Sequence, residues 1–292
     1  MKLKYKTQIG VLLCLCCCLQ AGRVVAVTTY EEEIAETLFQ RTDRGQPVWL
    51  YEEGQRFLGL YSQSLMDEAR GAAIIVHGMG GHPDWPEVVA PIRNRLPAAG
   101  WATLSIQLPV LDPGDPLADY GKTTDDAANR IREAVRFLRD RKFLNIVIIG
   151  YSFGAVTAVN SLATGQPVVQ AFVGISMQTY EFLNPRMYVD EALTQIDLPV
   201  LDVYGSRDYE DVIGHAEQRR QLARRDNRKQ FTQLVIDGAD HNFIGLEDIL
   251  IGRILGWLDL AAPGLRVPAD GQRNDQLQDE PSAAEPVPTP AR

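Results

Sequence analysis

The sequence predicts an α/β protein with a mostly parallel central sheet and helices on both faces. Two observations carry this. From Ala72 onward, short apolar runs alternate with longer segments of helical periodicity, an order that closes into a sheet through right-handed crossovers. The run Ile146-Val147-Ile148-Ile149 has no polar face, which suits a strand buried on both sides of a parallel sheet. At 292 residues, 45% of them hydrophobic and 23% charged, one such domain with a sizeable core fills the chain.

Residues 1–26 are read apart from that domain. Lys2, Lys4 and Lys6 precede the apolar run Ile9 to Leu19, and Val24-Val25-Ala26 supplies short residues where a signal peptidase cuts, so a cleaved secretory signal is expected. The run is well short of the ~20 residues that span a bilayer, which makes an uncleaved anchor the weaker alternative. All four cysteines (Cys14, Cys16, Cys17, Cys18) lie in this segment, and none follows the small residue that a lipid-attachment site requires. The mature protein would have no disulfide, thiolate nucleophile or cysteine metal ligand, although a periplasmic or secreted location would permit disulfides. Removing the segment takes away Lys2, Lys4, Lys6 and Arg23 and no acid, so the formal charge moves from −9 to −13. That balance argues against nucleic acid as a partner, and no stable membrane span is expected in the mature chain.

The domain is expected over residues 27–260. Tyr30 to Gln40 has helical spacing, with Ile34, Leu38 and Phe39 on one side. Pro47 to Tyr51 and Arg56 to Tyr61, separated by Glu52-Glu53-Gly54, predict a hairpin. Ala72 to Val76 is a buried strand followed by a glycine-rich turn. A helix starting or kinking near Pro91 ends by Gly100, and Trp101 to Leu108 is the next strand. After a Pro-, Gly- and Asp-rich loop, Thr124 to Arg141 is an amphipathic helix with Ile131, Val135 and Leu138 on one face. Ile146 to Gly150 is the central strand, followed by a helix over Phe153 to Leu162. Strands at Val169 to Ile175, Val200 to Tyr204 and Phe231 to Ile236 are joined by a charged helix, Val212 to Arg225, and closed by an apolar one, Leu246 to Leu260. From 261 to 292 the composition turns to Pro, Ala, Gln, Asp and Glu, too poor in large apolar residues to offset its ordering entropy, and a disordered tail is expected.

The central strand ends in Gly150-Tyr151-Ser152-Phe153-Gly154. Gly-x-Ser-x-Gly is a weak signal alone, but between a buried strand and a helix it reads as a sharp turn presenting Ser152 at the carboxyl edge of the sheet, where open α/β sheets place ligands. A serine hydroxyl needs a base. His241 follows the last strand and so reaches the same edge, whereas His215 lies in a charged helix and His77 opens the turn His77-Gly78-Met79-Gly80-Gly81. A carboxylate must then orient the histidine. Asp208 lies just past a strand end, with Asp202 inside that strand and Asp211 near the next helix as alternatives. The backbone N–H groups of Met79 and Phe153 are inferred to form an oxyanion hole, aided by the positive end of the helix after Ser152. The spacing of His77, His82 and Asp84 fits no common metal pattern, and Gly121-Lys122-Thr123 lacks the earlier glycine of a phosphate loop, so neither metal nor cofactor is expected.

Over roughly Gly71 to Leu260 these features, in the order Ser152, Asp208, His241, resemble the α/β-hydrolase superfamily. His77-Gly78 through Trp85-Pro86, with Gly100-Trp101-Ala102-Thr103-Leu104-Ser105-Ile106, is similar to an uncharacterised family of exported bacterial α/β-hydrolase-like proteins. The resemblance implies an α/β-hydrolase fold and hydrolysis of carboxylic esters or thioesters through an acyl-enzyme. Only Met177 to Asp197 is available as a cap, so no large lid is expected. Tyr180, Phe182, Met187 and Tyr188 within it either wall a substrate pocket or pack on the sheet. The substrate would be a small molecule or an acylated envelope component. A non-catalytic envelope binding protein and an acyltransferase on an envelope glycan are the competing readings.

Overall fold

The computed structural model describes residues 28–225, 230–264 and 267–268; the expected signal segment lies outside them, as does most of the expected tail. Helix α1 (Thr29–Arg41) is capped by Thr28, whose hydroxyl accepts the Glu31 N–H at 3.0 Å. Then come the hairpin β1 (Gln46–Glu52) and β2 (Gln55–Ser62), the short β3 (Glu68–Ala69) and β4 (Gly71–Val76). Helix α2 (Val89–Arg95) places Pro91 in its first turn, where a missing N–H costs nothing, and passes into a 3₁₀ turn, Leu96–Ala99. Strand β5 (Trp101–Ile106) leads through a 3₁₀ helix, Leu117–Thr123, to α3 (Thr124–Asp140). The alternation continues with β6 (Ile146–Tyr151), α4 (Phe153–Ala163), β7 (Ala171–Ile175), α5 (Val189–Gln195) and β8 (Val200–Gly205). Helices α6 (Glu210–Gly214) and α7 (Ala216–Arg225), strand β9 (Phe231–Ile236), α8 (Glu247–Ala261) and β10 (Val267–Pro268) complete the described chain.

Eight strands form one sheet in the order β1-β2-β5-β4-β6-β7-β8-β9. From β5 to β9 every pairing is parallel, and the hairpin extends the edge by antiparallel pairing of β2 with β5. All six residues of β6 are buried, as the unbroken apolar run requires. On one face α3, α4 and α5 enclose a core in which Ala127, Ile131, Ala134, Val135 and Leu138 recur at helical spacing. On the other, α2 and α8 contribute Val89, Ile92, Leu250, Ile254 and Leu258.

Two expectations are corrected. The charged helix predicted over Val212 to Arg225 breaks at Gly214 and His215 into α6 and α7, because a glycine followed by a residue outside helical geometry ends the first turn. The domain also runs past its expected end at 260. Helix α8 includes Ala261, Ala262 is buried with its carbonyl accepting Asn145 Nδ2 at 2.9 Å, and Val267-Pro268 pairs with Glu68-Ala69. Backbone pairing at Val267-Pro268 and the buried Ala262 are contacts that a count of large apolar side chains overlooks.

Candidate active site

The parallel registers, with Val76 beside Gly150, Tyr151 beside Ile175 and Gly205 beside Ile236, align the carboxyl ends of five strands. Each end delivers one part of the site: the His77 turn after β4, Ser152 after β6, Ser176 after β7, Asp208 after β8 and His241 after β9. Ser152 adopts φ 54° and ψ −121°, a conformation costly for any residue with a Cβ, and it is buried. Its neighbours make the turn possible. A Cβ at Gly154 would run into the carbonyl oxygens of His77 and Val76.

A continuous hydrogen-bonded chain links the three predicted residues. Ser152 Oγ lies 3.0 Å from His241 Nε2, and His241 Nδ1 lies 2.6 Å from Asp208 Oδ1. Asp208 also accepts the hydroxyl of Ser176 on Oδ2 at 2.5 Å and the N–H of Tyr209 on Oδ1 at 2.8 Å. Burial alone would raise this carboxyl, but hydrogen bonds from His241 and Ser176 and the adjoining imidazole leave it below the usual carboxylate range. The alternatives are excluded by position: Asp202 is buried in β8 against Arg219 at 2.8 Å and Gln233 at 2.9 Å, and Asp211 is exposed in α6.

Phe153 opens α4, so its N–H has no acceptor within the helix, and Met79 borders the same cleft. His77 does more than open the turn. Its Nδ1–H donates to the Gly78 carbonyl at 2.7 Å, and its Nε2 accepts the Leu108 N–H at 2.9 Å and faces the Gln107 amide at 3.1 Å. The imidazole thereby pins the glycine-rich turn to the end of β5.

The half-open cleft above Ser152 has a volume of about 450 Å³, and no Asp, Glu, Lys or Arg lines it. Its walls are mostly apolar and aromatic: Trp85, Leu117, Tyr151, Tyr180, Phe182 and Tyr209. Of the pocket residues predicted from the cap segment, Tyr180 and Phe182 take their places. Met187 does not; it pairs with Tyr180 across an isolated bridge and points into the core, and Tyr188 does not border the cleft. Tyr180 and Met187 both pack into the core cluster, but only Tyr180 also borders the cleft, a difference composition could not sort. Three contacts were missing from the sequence reading: Ser176 on Asp208, the Tyr209 ring stacked on His241 at 4.0 Å and 17°, and the Tyr180 hydroxyl 3.1 Å from Ser152 Oγ. The signal for Ser176 was its place directly after a strand on the edge that carries Ser152. Among the described residues no cluster of His, Cys, Asp and Glu could hold a metal ion, and no helix is long and apolar enough to cross a membrane.

A family model described as "Protein of unknown function (DUF3530)" matches residues 19–128 and 118–260. No curated protein matches the sequence. Among solved structures, dienelactone hydrolase from Anabaena variabilis ATCC 29413 is similar at 22% identity over 75% of this chain and 98% of its own, with a TM-score of 0.60. Est1E from Butyrivibrio proteoclasticus is 14% identical over 73% and 97%, with a TM-score of 0.58. XC6422 from Xanthomonas campestris, described as an α/β serine hydrolase without lid, is 17% identical over 77% and 98%, with a TM-score of 0.57. These likenesses show the fold. The chain has the α/β-hydrolase fold, and between β7 and β8 it carries one loop and the single short helix α5 in place of a large lid.

Proposed function

The chain belongs to the DUF3530 family, described as of unknown function, and from the geometry of its site we propose that it is a serine hydrolase cleaving carboxylic esters or thioesters through an acyl-enzyme. The observation that carries this reading is the unbroken chain from Ser152 Oγ through His241 to Asp208, with separations of 3.0 and 2.6 Å, at the floor of a substrate-sized cleft.

In this reading Ser152 Oγ attacks the carbonyl carbon as its proton passes to His241 Nε2. Asp208 accepts the Nδ1–H and stabilises the imidazolium while itself staying ionised. The carbonyl oxygen, now an anion, takes the N–H groups of Met79 and Phe153, each such donor being worth ~3 kcal/mol in the transition state. Collapse expels the alcohol or thiol, which leaves with the proton held on His241. A water then gives a proton to His241 and its oxygen attacks the acyl carbon. A second collapse returns that proton to Ser152 Oγ and frees the acid.

The uncharged walls support a substrate that is neutral around the scissile bond. The N-terminal sequence supports export, so the substrate would be a small molecule or an acylated envelope component met in the periplasm or outside the cell. A fluorophosphonate probe tests the reading against a binding protein of the same fold. It is expected to label the purified wild type and to leave Ser152→Ala unlabelled; a folded wild type that stays unlabelled would refute it. Product formed in water without an acceptor sugar separates hydrolysis from transfer.

A further inference from the structure

We infer that the phenol of Tyr180 is a side-chain donor of the oxyanion site, hydrogen-bonding the tetrahedral intermediate formed on Ser152. This rests on the serine-hydrolase reading above.

Three features place the phenol for that task. Its oxygen is 3.1 Å from Ser152 Oγ, and the residue is only 4% exposed. Its ring makes T-shaped contacts with Phe153 and Phe182, each with centroids 5.7 Å apart. Its backbone N–H donates to the Met187 carbonyl at 3.0 Å, and the same loop is tied to the 3₁₀ helix before α3 by the Asn184 N–H on the Ala118 carbonyl at 2.9 Å. Gly121 lets that contact close, since any Cβ there would strike the backbone of Asn184 and Pro185. The hydroxyl is therefore fixed before substrate arrives, as an electrostatic donor must be.

The direction of the hydrogen bond follows from proton counting. Ser152 has one hydroxyl proton, and base catalysis requires it to point at His241 Nε2, so between the two oxygens the phenol O–H is the donor; the Gln178 amide, the phenol's other partner, then meets the phenol oxygen with its N–H. Burial pushes the phenol pKa up, which keeps that proton in place through the neutral range. When Oγ becomes bonded to the acyl carbon it turns into a poorer acceptor, while an anionic oxygen appears one bond further on. The O–H then exchanges a neutral partner for a charged one, and such bonds are roughly twice as strong. An interaction that strengthens on the way to the transition state raises kcat with little effect on KM. No proton leaves the phenol; His241 alone transfers protons.

Tyr180→Phe keeps the ring and removes only the hydroxyl. The expected result is an unchanged melting curve, a kcat lowered about 10- to 100-fold and a KM within about threefold of wild type. An arylboronic acid, which forms an anionic tetrahedral adduct on the serine, should bind the variant more weakly by a similar factor. An unchanged kcat and boronate affinity, or a loss confined to KM, would overturn the inference. A second measurement does not depend on the variant folding: in a crystal structure of the wild type phosphonylated by the fluorophosphonate probe, the Tyr180 hydroxyl should lie within about 3.2 Å of the phosphoryl oxygen, and a separation above about 4 Å would overturn the inference. Failure of the two readings is distinguishable. An unlabelled wild type removes both, whereas Ser152-dependent labelling with an indifferent Tyr180→Phe removes only the role of Tyr180.

Discussion

Replacing His77 by Gln tests how the turn beside Ser152 is held. The imidazole is 1% exposed, donates from Nδ1 to the Gly78 carbonyl and accepts the Leu108 N–H on Nε2, an arrangement open only to the neutral ring. Burial lowers its pKa from the ordinary 6.5 to about 3. Between those values the unfolded chain binds a proton that the folded chain refuses, so stability is full above pH 6.5 and falls as the pH drops toward 3. At pH 5, about 1.5 units into the window, the loss is about 2 kcal/mol at 1.36 kcal/mol per unit. For a domain of this size that corresponds to about 4–8 °C in Tm. Urea unfolding of wild type and His77→Gln at pH 7 and pH 5 measures it. The remaining titrating groups are shared and cancel in the difference. Wild type should lose about 2 kcal/mol more than the variant on acidification, and equal losses would refute the claim that a buried neutral imidazole holds this turn.

Two further outcomes follow from other parts of the structure. Glu31 and Arg130 are both buried and joined at 2.6 Å, and Glu31 also accepts the Val110 N–H at 3.0 Å, so Glu31→Ala strands a guanidinium in the core and should cost ~3–5 kcal/mol in urea unfolding, with a loss below ~1 kcal/mol counting against it. Because no charged side chain lines the cleft, p-nitrophenyl butyrate should be cleaved with a kcat/KM at least ~10-fold above that of the p-nitrophenyl half-ester of succinate, whose carboxylate would be desolvated without a partner; equal values would refute this.

The fold was legible because its signal is repeated. Six strands and their crossovers each left an apolar run or a helical stripe, and the order of Ser152, Asp208 and His241 at strand ends needed only the rule that parallel strands share a carboxyl edge. Asp208 could be preferred over Asp202 because a residue in mid-strand cannot reach that edge. What stayed hidden depends on the path of loops. Nothing local distinguishes Tyr180, whose hydroxyl meets Ser152, from Met187, its bridge partner, which does not border the cleft. The part played by the His77 imidazole stayed hidden because its partners, Gln107 and Leu108, are some thirty residues away in sequence and adjacent only through the β4–β5 pairing.

The short pairing of β10 with β3 places Val267 and Pro268 at one edge of the domain. Strand β3 ends one residue before β4, at the amino edge of the sheet, while Ser152 sits beyond the carboxyl end of the neighbouring β6. Six residues of strand separate those edges, about 20 Å at 3.3 Å per residue. A fluorophore or linker attached at Pro268 itself therefore sits at the amino edge, away from the cleft, and leaves the approach to Ser152 open.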